Sequence, residues 1–172
     1  MPPEHQRRDA AESARPDAAQ PDAARPEAPE WYADGLRFAC TQCGNCCTGP
    51  PGVVWFTPDE GRAMAAKIGV DEATFYRDYA RRVGRGWSLK ELDTPHGCDC
   101  IFLDRDALPG KAICSLYEAR PTQCRTWPFW PENLESPEAW AEAKRSTPCP
   151  GMDNGPLIPV DQIRIQRDAT TD

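Results

Sequence analysis

The stretch that decides the fold is Phe38-Ala39-Cys40-Thr41-Gln42-Cys43-Gly44-Asn45-Cys46-Cys47, in which the cysteines have the spacing Cys-x2-Cys-x2-Cys-Cys. Two cysteines separated by two residues can wrap a tight turn and direct both sulfurs at one metal, as in zinc and iron–sulfur proteins. Gly44 lies inside the turn, where we expect a backbone torsion that other residues avoid. Side chains of adjacent residues tend to diverge, so Cys46 and Cys47 are poor equivalent ligands of one small ion. We therefore predict a polynuclear cluster, or two sites that share this loop.

Further cysteines recur at distant points of the chain and bring the total to nine. They are Cys98, Cys100, Cys114, Cys124 and Cys149. Such a pattern indicates either a metal framework or a disulfide framework, and the compartment decides between them. The first thirty residues contain no apolar run typical of a secretory signal, and no stretch is long and apolar enough for a membrane span. We expect a cytoplasmic protein with no membrane partner, in which metal binding is the better interpretation; the odd cysteine count also argues against complete disulfide pairing.

Length and charge narrow the class of protein. A chain of 172 residues favours one globular domain. The net charge is −7, and no Lys/Arg-rich block is present, whereas nucleic-acid binders normally carry a basic face. Residues 1–30 contain a Pro/Ala-rich quasi-repeat of five residues that cannot bury enough apolar surface to fold. We predict a disordered tail over 1–30, a cysteine-cluster metal-binding domain over 31–172, and no nucleic-acid partner.

Two helices are predicted after the cysteine loop. Residues 57–60 read Thr-Pro-Asp-Glu, which matches an N-cap threonine, a proline at the first helical position and a capping-box glutamate. Gly69 is expected to end this helix. Asp71 is predicted to cap a second helix that runs to about Val83, because apolar residues recur there at four-residue spacing. The chain from 84 to 97 is expected to be irregular.

A β-hairpin is predicted next, from the segments 100–103 and 111–114. If the turn is centred near residue 107, Cys100 falls almost opposite Cys114, and both sulfurs lie close enough to share a metal.

Short helices are predicted in the last third of the chain. Pro121 can open a helix with Cys124 in its first turn, where the helix dipole favours a thiolate. Ser136 is expected to cap a helix that runs to about Arg145. Residues 157–165 fit a short helix or a strand equally well. The predicted fold class is α+β: a small, irregular, metal-stabilised domain with short helices and a β-hairpin around a cysteine cluster.

Four sequence blocks carry a family resemblance. They are Phe38 to Cys47, Cys100 to Asp104, Cys114 to Phe129, and Cys149-Pro150-Gly151. In order and spacing, they resemble the YkgJ-type cysteine-cluster family, which is found mostly in bacteria and is described as a zinc- or iron-chelating domain. The resemblance spans about residues 31 to 155 and implies metal chelation by the matched cysteines. These are Cys40, Cys43, Cys46, Cys47, Cys100, Cys114, Cys124 and Cys149. Cys98 lies outside the family pattern.

The identity of the metal is open between two alternatives. Cys40, Cys43 and Cys46 reproduce the first three positions of the bacterial ferredoxin run, and adjacent cysteines suit a multi-atom centre, so an iron–sulfur cluster of the 4Fe–4S type is favoured. Structural zinc held by four thiolates is the alternative. Arg120 and Arg125 flank Cys124 and are candidate cofactor-binding residues.

Guanidinium groups can offset the negative charge of a thiolate centre and donate hydrogen bonds to sulfur, although ordinary ion pairing with carboxylates is an equal alternative. His96 precedes Cys98 in a predicted loop, where ligation is the less common outcome. Trp127, Phe129 and Trp130 either shield the centre from water or pack in the core.

The sequence leaves two classes of function. The first is a metal-binding protein that chelates iron, as an iron–sulfur cluster, or zinc, in a structural, storage or delivery role. The second is an iron–sulfur redox enzyme or electron-transfer protein that acts with an unknown partner. The chain contains only two histidines, and no nucleophile–base–acid arrangement is identifiable, so no catalytic residue is assigned.

Overall fold

Short helices alternate with small antiparallel sheets in the computed structural model, which describes residues 29–170. This mixture confirms the predicted α+β class. The α-helices are α1 (Pro58–Ile68), α2 (Glu72–Asp78), α3 (Thr122–Thr126), α4 (Pro131–Leu134), α5 (Pro137–Ser146) and α6 (Val160–Ala169). The strands are β1 (Leu36–Phe38), β2 (Trp55–Phe56), β3 (Ala80–Val83), β4 (Gly86–Leu89), β5 (Glu91–Thr94), β6 (Gly97–Cys100), β7 (Leu103–Asp104), β8 (Ile113–Cys114) and β9 (Met152–Ile158). Short 3-10 helices cover Asn45–Cys47 and Tyr117–Ala119.

Every strand pairs antiparallel, and the pairs form separate small sheets. One sheet joins β1 to β9, a second has the order β2-β4-β3, and the remaining two are the hairpins β5-β6 and β7-β8. The β1–β9 pair brings the segment just before the cysteine loop against the segment just after Cys149.

Helix α1 begins and ends where the sequence predicts. The hydroxyl of Thr57 accepts a hydrogen bond from the backbone N–H of Glu60 at 3.2 Å, and the Glu60 carboxylate accepts one from the Thr57 backbone N–H at 2.8 Å. Gly69 closes the helix in the left-handed conformation, with φ of 75°. The capping box and the glycine stop are both confirmed, since each depends on a few consecutive residues.

The second helix is shorter than predicted, and the region after it is more regular. Helix α2 ends at Asp78, and residues 80–83 form β3 instead of a further helical turn. A tight turn at Gly84, with φ of 54°, returns the chain as β4. The extension to Val83 and the irregular segment 84–97 are therefore wrong predictions. Cross-strand hydrogen bonds outweigh the local helical periodicity here.

The predicted hairpin exists, but its register differs by three residues. Leu103, and not Cys100, pairs with Cys114. Asp104 accepts hydrogen bonds from the backbone N–H groups of residues 106 and 107, at 2.8 and 2.9 Å, which starts the turn later than expected. Cys100 belongs to the neighbouring β5–β6 hairpin instead.

The first described residues are bound to the last helix. The carboxylate of Glu30 forms ion pairs with Arg164 and Arg167, both at 2.7 Å, and accepts a hydrogen bond from Tyr32 at 3.0 Å. The predicted tail, residues 1–30, otherwise lies outside the described residues. The ambiguous segment 157–165 contains both candidates, because β9 ends and α6 begins within it.

Two hydrophobic clusters form the interior of the domain. The first contains Tyr32, Phe129, Leu134, Trp140, Ala143, Cys149, Met152 and Ile163. The second contains Phe56, Met64, Ala65, Phe75, Ala80, Leu89, Phe102 and Leu116. Residues that belong to or pack against each cluster line the candidate site together with the cysteine loop.

Candidate metal centre

The cysteines from all parts of the chain line a single cavity of about 200 Å³. All nine are present in its wall, including the eight that were predicted as metal ligands. Phe38 and Trp127 contribute from the side of the first hydrophobic cluster, and Leu89, Phe102 and Leu116 contribute from the second. Every cysteine is a free thiol.

The cysteine loop has the backbone conformation that its glycine allows. Gly44 has φ of 79°, as the sequence suggests, and a Cβ at this position would lie 2.6 Å from the Cβ of Ala112. The following 3-10 turn is closed by a hydrogen bond from the Cys47 N–H to the Gly44 carbonyl at 2.8 Å. The Ala112 N–H donates to the Gln42 carbonyl at 2.8 Å, which attaches the loop to the segment that leads into β8.

The side chains of Cys46 and Cys47 were expected to diverge, but in the structure they do not. Their sulfurs lie 3.7 Å apart, and the interaction with Cys47 raises the pKa of the Cys46 thiol. Tetrahedral coordination with metal–sulfur bonds of about 2.3 Å separates two ligand sulfurs by about 3.8 Å. The adjacent thiols therefore have a spacing at which both could bind one metal atom.

Four thiols from four separate elements act on one another. They are Cys46 from the 3-10 turn, Cys100 from β6, Cys114 from β8 and Cys124 from α3. Burial raises the pKa of Cys100 to about 11, and it also raises the pKa of Cys114 and Cys124. Every pair of thiols in this set also interacts, because negative charge on one sulfur raises the pKa of the other thiol. We call these residues the thiol quartet.

A second, smaller group lies beside the quartet. Cys149 is buried, and burial raises the pKa of its thiol, as does negative charge on Cys43. The backbone N–H groups of Gly151 and Met152 act in the opposite direction and favour the Cys149 thiolate. The Ala39 N–H donates to the Gly151 carbonyl at 3.2 Å, which ties the start of the cysteine loop to the segment after Cys149.

The structure separates the two candidate arginines. Arg120 lines the cavity, donates from Nε to the Tyr117 carbonyl at 2.9 Å, and stacks 3.8 Å above the centroid of the Tyr117 ring. Burial and neighbouring thiols raise the pKa of Cys46, Cys114 and Cys124, and the positive charge of Arg120 partly offsets this rise.

Arg125 is not part of the cavity wall. It donates to the Arg120 carbonyl at 2.8 Å and to the Thr122 hydroxyl at 2.9 Å, and it faces the Glu60 carboxylate at 3.9 Å. Of the two arginines, therefore, Arg120 is the one beside the cysteines, and Arg125 supports the helix behind them.

Cys98 lies in the cavity wall although it is outside the family pattern. Burial and the nearby Asp93 carboxylate, 3.4 Å from its sulfur, raise the pKa of this thiol. Cys98 and Cys100 are two positions apart in β6 and therefore share one face of the strand. That spacing is the sequence signal that could have placed Cys98 near the site. His96 is not in the wall.

The aromatic residues divide between cavity and core. Trp127 and Trp130 line the cavity, with their rings 4.9 Å apart, whereas Phe129 is buried in the first hydrophobic cluster. The Trp130 indole N–H donates to the Gln123 carbonyl at 2.9 Å. The corresponding N–H of Trp127 is buried and has no hydrogen-bond partner.

The thiols surround the cavity and do not converge on one point. Among residues 29–170, no three cysteine, histidine or carboxylate side chains are arranged so that they could hold a single metal ion. The cavity volume of about 200 Å³ is well above the roughly 10–15 Å³ that is enough to hold one water molecule. Its thiol lining suits a metal centre that prefers sulfur ligands.

The fold and the cavity define a small α+β domain with a thiol-rich site, and thiolates are the ligands that select zinc, copper(I) and iron–sulfur clusters. The chain belongs to the CxxCxxCC family, described as a putative zinc- or iron-chelating domain, whose model matches residues 39–150. The match includes all nine cysteines, and it confirms the predicted family. No solved structure matches the chain. Within residues 29–170, no helix has the length and apolar character needed to cross a membrane.

Proposed function

We propose that this chain chelates iron, in an iron–sulfur cluster, through the cysteines that line the cavity. The observation that carries the proposal is the meeting of all eight family-pattern cysteines in one wall, although they come from a loop, two hairpins, a helix and the segment after α5. Among them, the thiol quartet supplies the four ligands that a cubane cluster needs. Cys40, Cys43, Cys47 and Cys149 are the further ligands in this proposal.

The buried thiols of the site become thiolate ligands only when a cation is present. Burial raises the pKa of the quartet thiols Cys100, Cys114 and Cys124, which keeps them protonated in the metal-free protein. Because a ligand thiol must lose its proton, binding of a cationic centre releases protons and is weakened at low pH. Arg120 offsets part of the negative charge that the bound thiolates would create.

Zinc is the competing occupant, and one distance favours it. The 3.7 Å separation of the Cys46 and Cys47 sulfurs suits two ligands on one tetrahedral ion. The size of the cavity and the number of thiols favour the iron–sulfur centre.

Metal and sulfide analysis of anaerobically purified full-length protein tests the proposal. We expect iron and acid-labile sulfide in equal amounts, together with a broad visible absorption band. A colourless protein with stoichiometric zinc would support the zinc alternative and overturn the iron–sulfur assignment. Protein with neither metal, and with nine thiols that all react readily in the folded state, would overturn metal binding itself.

A redox or electron-transfer role is the second candidate. Cys40 and Cys46 are solvent-exposed, so a cluster bound to them would lie near the protein surface, where a partner could approach it. A cluster that reduces and reoxidises reversibly in the intact protein would support this role. A cluster that is lost during one reduction cycle would argue for a structural centre.

A further inference from the structure

Two buried polar groups beside the cysteines have no partner in the protein. Of the buried side-chain nitrogen and oxygen atoms in residues 29–170, those without a hydrogen bond are Thr41 Oγ1 and Trp127 Nε1. Both residues line the cysteine cavity. A buried polar group without a partner costs about 1–3 kcal/mol, so such groups are rare and call for an explanation.

The two residues belong to different elements of the site. Thr41 lies between Cys40 and Cys43 in the cysteine loop, and its carbonyl accepts a hydrogen bond from Lys111 Nζ at 3.0 Å, which holds the local backbone. Trp127 follows α3, contacts the Trp130 ring and packs against the first hydrophobic cluster, which contains Cys149. Each residue is therefore held by contacts that leave its donor group unused.

Three other tryptophans use their indole N–H in a hydrogen bond. Trp130, the neighbouring indole, donates to a backbone carbonyl, and the indoles of Trp31 and Trp140 donate to Leu134 and Asp153 at 2.8 Å each. Among these tryptophans, Trp127 alone has an N–H without a partner, and its ring packs against the hydrophobic cluster that contains Cys149. A donor in this position stabilises a thiolate and gives little to a neutral thiol.

We propose that Trp127 and Thr41 are positioning residues whose N–H and O–H groups donate hydrogen bonds to the thiolates of the bound metal centre, Trp127 to Cys149. The inference rests on the proposed metal binding and adds two residues that are not cysteines to it. In metal sites, donors of this kind orient the ligands and tune the metal, and their loss costs about 10- to 100-fold in metal affinity. The two donors supplement Arg120, which acts through charge.

The test measures how tightly full-length protein retains Zn²⁺ against a competing chelator, with wild type, Trp127→Phe and Thr41→Val compared. We expect each variant to retain zinc about 10- to 100-fold less tightly. Thr41→Ser, which keeps the hydroxyl, restores the wild-type value. Trp31→Phe is the matched control, because it removes an indole N–H from the same hydrophobic cluster but away from the cavity, and its zinc retention should be unchanged.

A second readout separates hydrogen bonding from packing. In the Co²⁺-loaded protein, loss of a donor to sulfur raises the energy of the sulfur electrons, so the thiolate-to-cobalt absorption band of Trp127→Phe should shift to longer wavelength. A change that only loosens packing would leave the band position unaltered.

The outcomes are distinct. If wild type retains zinc and both variants retain it equally well with unshifted bands, the inference is overturned while the proposed metal binding stands. If one variant alone is weakened, the other residue's role is overturned. Wild-type protein that retains neither Zn²⁺ nor iron with acid-labile sulfide would overturn the proposed function and this inference with it.

Discussion

Glu60 and Thr122, which lie 62 positions apart, are joined by two short hydrogen bonds. Oε1 of Glu60 accepts from the Thr122 backbone N–H at 2.6 Å and from the Thr122 hydroxyl at 2.7 Å. The other carboxylate oxygen closes the capping box of α1 with Thr57. One partly buried carboxylate thus holds the first turn of α3, the helix that carries Cys124, against the first turn of α1.

Glu60→Gln should destabilise the domain. Burial tends to raise the pKa of Glu60, but the hydrogen bonds from Thr122 and Thr57 outweigh it, so the folded-state pKa lies below the ordinary value. Hydrogen bonds to a charged group contribute about 1.5–3 kcal/mol, and we expect a loss of about 1–3 kcal/mol in the free energy of unfolding at pH 7. Denaturant unfolding at neutral pH measures it.

The pH dependence of this effect has a defined sign. Because the folded-state pKa is lowered, the stabilisation is complete above the unfolded-state pKa and is lost as pH falls through the folded-state value. Wild type and Glu60→Gln should therefore converge in stability at acidic pH. Asp59→Asn, on the exposed side of the same turn, is the control and should change stability little. A constant difference between wild type and Glu60→Gln at all pH values would contradict this account.

Cys124→Ser and Cys98→Ser should behave differently, although both residues line the cavity. Cys124 belongs to the thiol quartet, so its loss should remove most of the bound metal and lower the melting temperature of the metal-loaded protein. Serine at position 98 can still donate to Asp93, and the metal content should stay near that of wild type. Elemental analysis and thermal unfolding of both variants check this contrast. An equal loss of metal in the two variants would make Cys98 a ligand.

The two arginines near Cys124 provide a matched pair. Arg120→Gln removes the positive charge that favours three quartet thiolates, and we expect metal retention against a chelator to weaken by about 10-fold. Arg125→Gln removes hydrogen bonds to Arg120 and Thr122, so it should lower the free energy of unfolding by about 1 kcal/mol and leave metal retention unchanged. The reverse pattern would assign the charge-balancing role to Arg125.

Gly151→Ala should disturb the site through the backbone. A Cβ at position 151 would lie 1.9 Å from the Ala39 carbonyl oxygen, so the segment that leads into Cys40 must move. Overpacking of this kind typically costs about 1–3 kcal/mol, and we expect a lower melting temperature together with reduced metal content. Gly52→Ala, where the nearest atom would be 3.7 Å away, is the steric control. Normal metal content in Gly151→Ala would show that the cysteine loop tolerates displacement at its start.

Features that depend on a few consecutive residues were accessible from the sequence. The capping box at Thr57, the helix stop at Gly69, and the caps at Asp71 and Ser136 follow from local hydrogen bonding and are present in the structure. The same holds for the left-handed torsion of Gly44 and for the short helix that begins after Pro121. Each of these features depends on hydrogen bonds or torsions within one turn of chain, so a short stretch of sequence is enough to predict it.

Features that depend on distant pairing were not accessible. Helical periodicity after Asp71 continues to Val83, but β3 forms there because β4 offers it a hydrogen-bonding edge. The position of Cys98 in the cavity wall and the free indole N–H of Trp127 likewise depend on how separate elements pack.

The cysteine pattern shows both sides of this division most directly. The sequence by itself determined that the chain carries a thiol-rich metal-binding domain, because the cysteine spacing of the loop and each of the four blocks can be recognised directly in the sequence. Only the tertiary structure decided which thiols face each other: Cys114 pairs in register with Leu103, while Cys100 reaches the quartet from another hairpin. Strand register is set by the turn at Asp104 and by packing against the second hydrophobic cluster, and those contacts join residues far apart in the chain.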